Sequence, residues 1–302
     1  MKKRIIITGG LGQDAIILNN LLIKKNYSTY LIINKKKPKK KINTTFLNIN
    51  LLNLKKVNEC INNIKPHAII HLAAKNISLP KRKSMMSEIY YRQNFLMTQN
   101  LIDSIIKYNK KIKFIFAGSS QMFMKKKGIV DENSKFKATC YYSKYKIDAH
   151  KYIMKKKKLY SLNATTSILF NHDSIHRNKI FLLPRLALYF KQKKISLIKE
   201  IYNDDIFGDF SHAEDICNGI FLILKSNKNP DKIIFSFNNL ISINKLIEIG
   251  LNKFKINNNF KVNSSKIIKL VGNNNFAKKI LNWKITKNSE LAFQEIIKNV
   301  FK

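Results

Sequence analysis

The chain has 302 residues, with 57 Lys and Arg against 18 Asp and Glu, a formal net charge of +39. Its 45% apolar content supports the buried core of one large domain or two modest ones and excludes a chain too polar to collapse. No apolar run approaches the ~18 residues that a membrane span needs, and Met1-Lys2-Lys3-Arg4 is followed by only Ile5-Ile6-Ile7 before Thr8-Gly9-Gly10, so no export is expected.

The elements read in chain order as an alternation of strand and helix. Ile5-Ile6-Ile7 is a short buried strand, residues 8–12 a glycine turn, and residues 14–25 a helix with Ile17, Leu18, Leu21 and Leu22 on one side, stopped by Asn26. Strands follow at 29–33 and around 46–49, then a helix at 54–64, a strand at 68–72, a long helix at 85–108 and a strand at 112–117. Such alternation predicts an α/β fold of the Rossmann type, a doubly wound parallel sheet with helices on both faces. Further on, the spacing predicts a helix over 142–156, a strand over 163–170, helices near 184–193 and over 211–224, and a mainly helical tail from 242.

The charge would ordinarily suggest a nucleic acid or an anionic membrane as partner. Only five basic residues are Arg (Arg4, Arg82, Arg92, Arg177, Arg185), whereas readers of bases and phosphates favour the planar Arg fork. The excess Lys accompanies Asn runs such as Asn257-Asn258-Asn259, residues that A/T-rich codons encode, and is read as solvated surface. Neither nucleic acid nor membrane is expected as a partner. Cys60, Cys140 and Cys217 are odd in number and far apart, which gives neither a disulfide framework nor a CxxC pair and suits a reducing cytoplasm.

Between the first strand and helix, Gly9, Gly12 and the small Ala15 give G-x-x-G-x-x-A, which lets backbone approach a pyrophosphate at a helix N-terminus. The following residues of this turn, Gln13 and Asp14, and Thr8 before it, belong to the same candidate cofactor site. Where NAD-selective sites offer an acid to the adenine ribose, the chain has Asn34-Lys35-Lys36-Lys37, which suits a 2′-phosphate and favours NADP. Tyr142 and Lys146, as Tyr-x-x-x-Lys, share a helix face, where the ammonium lowers the phenol pKa for proton exchange with a sugar hydroxyl. Ser119 ends the strand Phe114-Ile115-Phe116-Ala117-Gly118 and can hold the same oxygen.

These stretches, with Ser119-Ser120-Gln121-Met122-Phe123, Phe170-Asn171-His172-Asp173-Ser174, Asp209-Phe210-Ser211-His212-Ala213-Glu214-Asp215 and Leu281-Asn282-Trp283-Lys284, run in order along nearly the whole chain. By them it resembles the extended short-chain dehydrogenase/reductases, and among these the GDP-mannose 4,6-dehydratase family. The resemblance implies an NADP-dependent enzyme acting on a nucleotide-activated hexose, GDP-mannose in the family, and assembling as a homo-dimer or homo-tetramer. It also implies a two-part fold, a dinucleotide domain over residues 1–170 to which 207–237 return, and a smaller mixed part over 171–206 and 238–302 that binds substrate. C4 is oxidised with help from Tyr142, water is eliminated across C5–C6, and the hydride returns to C6. It also implies cofactor contacts from Asn50, Leu51, His71, Ala73, His172 and Arg177, and substrate contacts from Asn171, Lys179 and Arg185. His71 reads equally well as a satisfied core histidine. Asn94 fits a helix Asn that supports the catalytic water or backbone in this superfamily.

The departures bear on the reaction. Where the family carries its Glu base, this chain has Gln121, and an amide cannot take the C5 proton. Two family Arg positions are Gly208 and Asn263, with Lys266 nearby as a partial substitute, and Cys140-Tyr141 replaces a Ser-Pro; Cys140 is read as packing beside Tyr142. His172 and His176 follow a strand rather than lying on a helix, so no metal site is assigned. A 4-keto reductase or epimerase needs only Ser, Tyr and Lys and is the alternative reaction; a catalytically silent NADP-binding protein is a further one.

Overall fold

The computed structural model describes residues 2–34, 44–75, 85–124, 127–257, 259–262 and 267–301. Lys35, Lys36, Asn263 and Lys266 lie outside the described residues. The strands are β1 (Arg4–Thr8), β2 (Ser28–Ile33), β3 (Thr44–Asn48), β4 (Ala68–His71), β5 (Lys113–Ser119), β6 (Gly128–Val130), β7 (Ala164–Leu169), β8 (Asn171–Asp173), β9 (Ile206–Gly208), β10 (Phe210–His212), β11 (Lys232–Phe235), β12 (Ile241–Ser242), β13 (Ile267–Ile268) and β14 (Leu270–Gly272). The helices are α1 (Gln13–Lys24), α2 (Leu54–Ile64), α3 (Met85–Tyr108), α4 (Tyr141–Tyr160), α5 (Leu182–Lys191), α6 (Ile195–Asn203), α7 (Ala213–Lys225), α8 (Ile243–Lys253), α9 (Asn275–Leu281) and α10 (Ser289–Val300).

The chain divides into two compact units. The first comprises Met1–Met124, Ser134–Ile168 and Ile220–Ile233, the second Lys125–Asn133, Leu169–Gly219 and Ile234–Lys302. The segment returning to the first unit is thus shorter than residues 207–237.

The first unit is built on a seven-stranded sheet in the order β11-β7-β5-β4-β1-β2-β3. The pairs β3–β2, β2–β1, β1–β4 and β4–β5 are all parallel. Strands covered on both faces read as unbroken apolar runs rather than alternating ones, and Ile5, Ile6, Ile7, Ile69 and Ile70 are fully buried. Helix α1 ends where Asn26 takes a φ of 63°, a conformation that Asn tolerates and that cannot continue a helix. Between β1 and β4 the strand order reverses, and such a switch point opens a crevice at the carboxyl ends of the strands.

The second unit holds the parallel pair β8–β10, the three-stranded β12-β9-β13 and the pair β14–β6. Its apolar core gathers Leu186, Phe190, Leu246, Ile247, Phe293 and Ile297. The helix expected over 211–224 begins only at Ala213, because Ser211 and His212 pair with His172 and Asp173 in the β8–β10 ladder. His212 Nδ1 then accepts from the Glu214 amide, and Glu214 and Asp215 sit in the helix's first turn, where negative charge meets the free amides. The tail is helical in α8, α9 and α10 but preceded by β12 and interrupted by β13 and β14, two or three residues each and too short for periodicity to register. Among the described residues no helix is long and apolar enough to cross a membrane.

Candidate active site

The carboxyl ends of four neighbouring strands enclose a cleft of about 670 Å³ in the first unit. Gly9 to Gly12 line it after β1, Ile32 to Asn34 at the end of β2, Asn48 to Leu52 after β3 and Leu72 to Lys75 after β4; Gln93 and Met97 of α3 complete it. Gly9 has a φ of +71°, and a Cβ there would stand 3.0 Å from the Ala73 backbone nitrogen. Only glycine fits that position, and its bare backbone is what an anionic pyrophosphate at the α1 N-terminus requires.

Five buried polar side chains hold these loops in place. Thr8 Oγ1 accepts from the Leu72 and Ala73 amides at 3.1 and 3.0 Å, so its own hydrogen goes to His71 Nδ1 at 2.8 Å. His71 Nε2 then donates to Thr98 Oγ1 at 3.1 Å, and Thr98 donates to the Asn94 carbonyl. Burial, aided by the Lys146 charge, pushes the His71 pKa down to about 3, in keeping with this neutral tautomer. Asn94, also buried, accepts from the Lys75 amide at 2.9 Å and donates to the Lys75 carbonyl at 3.1 Å. Asn100 donates to the Leu51 carbonyl at 2.8 Å. Of two readings open for His71, the geometry selects the core histidine: both ring nitrogens are engaged inside the protein, and it reaches the cleft only through Thr8.

The candidate catalytic residues stand at and around the end of β5, next to β4 in the sheet, where His71 is in register with Phe116. Ser119 caps the single 3₁₀ turn Ser120–Met122, its Oγ accepting from the Gln121 amide at 3.2 Å, which leaves its hydrogen to give. Helix α4 packs against this turn. Tyr142, half-buried, and Lys146, fully buried, lie one helical turn apart on its inner side, with the ammonium 5.6 Å from the Tyr142 ring centroid. Lys146 Nζ donates to the Ala117 carbonyl at 2.6 Å and lies 4.8 and 4.9 Å from the Phe116 and Tyr145 ring centroids. With one carbonyl and no carboxylate beside it, burial pushes its pKa down to about 7.

Cys140 is exposed and caps α4 instead of packing beside Tyr142. Its Sγ accepts from the Ser143 amide at 3.5 Å, and Ser143 Oγ accepts from the Cys140 amide at 3.1 Å. The same thiol points to Gln121 Oε1 at 3.9 Å. Gln121 itself is exposed on the turn.

Of the residues read from the sequence, Gly9, Gly12, Asn50, Leu51 and Ala73 line the cleft. Thr8 and His71 support it from behind, and Gln13, buried, donates to Asp14 Oδ1 at 3.0 Å without lining it. The remaining candidates belong to the second unit. There His172 is buried with Nδ1 donating to the Phe170 carbonyl, and Arg177 Nε sits 3.2 Å from Asp173 Oδ1 with its guanidinium 3.7 Å over the Phe181 ring. Asn171 and Lys179 are exposed, and Arg185 is half-buried with a Nε that has no hydrogen-bond partner among the described residues. Gly208 follows from packing: a Cβ there would stand 2.7 Å from the Phe210 ring, so no Arg fits without moving it. Among the described residues no group of three His, Cys, Asp or Glu side chains is arranged to hold a metal ion.

Sequence reading passed over Lys75, Gln93, Thr98 and Asn100. The signal was present as two i,i+4 polar pairs, Asn94 with Thr98 and Asn100 with Ser104, within the long helix α3; all four are buried.

A family model described as GDP-mannose 4,6 dehydratase matches residues 6–299. "GDP-mannose 4,6 dehydratase 1" of Arabidopsis thaliana is 24% identical over 331 residues, covering 98% of this chain and 88% of that protein. The crystal structure of dTDP-glucose 4,6-dehydratase from Bacillus anthracis, in complex with NAD, superposes with a TM-score of 0.83 at 16% identity, covering 99% of this chain and 96% of that one. The structure of RMD from Pseudomonas aeruginosa, complexed with NADPH, superposes with a TM-score of 0.80 at 15% identity and covers 99% of both chains.

Proposed function

The chain belongs to the GDP-mannose 4,6-dehydratase family, and from that membership we propose that it is a cytoplasmic, NADP-dependent enzyme that oxidises C4 of a nucleotide-activated hexose, GDP-mannose in the first instance. What supports this is the arrangement at the end of β5, the neighbour of β4: Ser119 ends the strand, and Lys146 donates to the Ala117 carbonyl and lies 5.6 Å from the Tyr142 ring centroid, while the glycine-walled cleft opens at the ends of β1 to β4. The cleft suits a dinucleotide, since the Gly9 position admits backbone alone and the α1 N-terminus favours an anion. A bound nicotinamide would supply the hydride acceptor. Ser119 donates to the C4 oxygen, and Tyr142, as its phenolate, takes the proton of the C4 hydroxyl as the ketone forms. Lys146, buried and anchored on the Ala117 carbonyl, stabilises negative charge on the phenol oxygen. Arg177, Lys179, Arg185 and Asn171 are the second unit's candidates for holding the nucleotide diphosphate and the sugar.

The next step of the family's reaction needs a base for the C5 proton, and Gln121 has none to offer. Losing a general base forfeits ~10²–10⁴ in rate. Gln121 therefore favours a second reading, a nucleotide-sugar 4-keto reductase or epimerase that uses the redox half alone. Incubating the protein with NADP+ and GDP-mannose separates the two by product mass: a dehydratase product has lost water, an epimer has not. Gln121→Glu is expected to raise water loss at least ~10²-fold; if neither protein yields a dehydrated sugar, the 4,6-dehydratase reading is wrong. If neither alters any nucleotide hexose while NADP+ still binds, the chain is a silent dinucleotide-binding protein.

A further inference from the structure

The cleft has one charged side chain among its described lining residues, and it is Lys75. Its segment abuts the glycine turn, since Ala73, two residues earlier, makes the 3.0 Å approach to the Gly9 position. Its backbone is fixed from both sides by the buried Asn94 amide. Its side chain is fixed as well: Nζ donates to Gln93 Oε1 at 2.6 Å and lies 4.8 Å from the Tyr90 ring centroid. An ammonium has three donors, and Gln93 uses one. A cation with spare donors, pinned on the wall of a cleft that would receive a diphosphate, is poised for an anion.

We propose that Lys75 is the resident counter-charge for the pyrophosphate of the bound dinucleotide, acting whether or not a 2′-phosphate is present. This rests on the reading that the cleft takes a nicotinamide dinucleotide. Topology selects the pyrophosphate over the 2′-phosphate. Lys75 follows β4, the immediate neighbour of β1 and its glycine turn, whereas the adenine ribose belongs at the end of β2, two strands or ~10 Å from β4.

The test is a titration of the intact protein and of Lys75→Gln with NADP+, NAD+, ADP and adenosine 2′-monophosphate, followed by calorimetry or intrinsic fluorescence. Lys75 is exposed, so the substitution leaves the fold intact, which a thermal melt checks. NADP+, NAD+ and ADP are each expected to bind ~10-fold or more weakly, with a shallower salt dependence, while adenosine 2′-monophosphate is unaffected. Lys75→Arg, which keeps the charge, should restore most of the affinity. Unchanged ADP binding overturns the proposal, as does a loss confined to NADP+ and adenosine 2′-monophosphate. A parent protein that binds none of the four overturns the dinucleotide reading, and the role of Lys75 with it; a parent that binds and a variant that binds equally well overturns the role of Lys75 alone.

Discussion

Each unit buries a charge-bearing side chain, and the two do it in opposite ways. Lys146 in the first unit has one hydrogen bond, to the Ala117 carbonyl, and otherwise faces aromatic rings. Asp209 in the second unit accepts three backbone amides, from Phe237 at 2.6 Å and from Asn238 and Gly272 at 3.1 Å each. Burial shifts both pKa values toward neutrality, Lys146 down to about 7 and Asp209 up to about 7 despite its three donors. A perturbed titration therefore does not by itself mark a reactive group. The count of fixed partners separates them: Lys146 keeps free donors beside a phenol, whereas Asp209 is saturated and ties Phe237, Asn238 and Gly272 together.

That difference predicts opposite failures. Tyr142→Phe and Lys146→Met should each lower kcat on a nucleotide hexose by ~10²–10⁴, with the double variant little worse than either single one, because the two act on one proton. Steady-state rates at saturating dinucleotide, with folding checked by circular dichroism, measure this. Additive losses would mean that the two side chains act independently and that the shared-proton account fails.

Asp209→Asn should do the reverse. It puts an NH₂ where a carboxylate oxygen now accepts, which leaves at least one buried amide facing a donor and costs about 3 kcal/mol. Urea denaturation should show that loss, with kcat per folded molecule close to that of the parent. A large fall in kcat with unchanged stability would place Asp209 in the chemistry and erase the contrast.

How far the sequence disclosed each unit follows from the same contrast. In the first, parallel strands buried on both faces are unbroken apolar runs, and Gly9, Ser119, Tyr142 and Lys146 stand at strand ends and helix faces that spacing alone locates. What spacing could not show there was support: Thr98 and Asn100 are polar residues in a helix, and nothing local says that they serve the β4 and β3 loops. In the second unit β8, β10, β12, β13 and β14 are two or three residues long, shorter than any period, and Ser211-His212 joins a ladder with residues some 40 positions away. The capping role of Cys140 was hidden for another reason: a thiol is a weak acceptor and an unusual cap, and only the Ser143 amide reveals it.

The remaining difference is a slope with pH. Lys146 has a folded pKa of about 7 against 10.5 unfolded, so between those values the unfolded chain binds more protons. Its burial penalty is complete below about pH 7 and absent above 10.5, and stability rises with pH across that window by at most ~1.4 kcal/mol per unit. Asp209 has the opposite sign: its folded pKa of about 7 exceeds the unfolded 3.8, so its contribution is full below 3.8 and lost as pH climbs through 7. The buried neutral His71 and His150, both pushed down by burial, oppose Asp209 over part of that lower range. The informative quantity is thus the difference between parent and variant denaturation curves. Subtracting Lys146→Met should leave a rise confined to pH 7–10.5, and subtracting Asp209→Asn a fall confined to pH 4–7. A Lys146→Met difference that is flat above pH 7 would mean that the ammonium finds an acceptor beyond Ala117, and the distinction between a poised charge and a saturated one would not survive it.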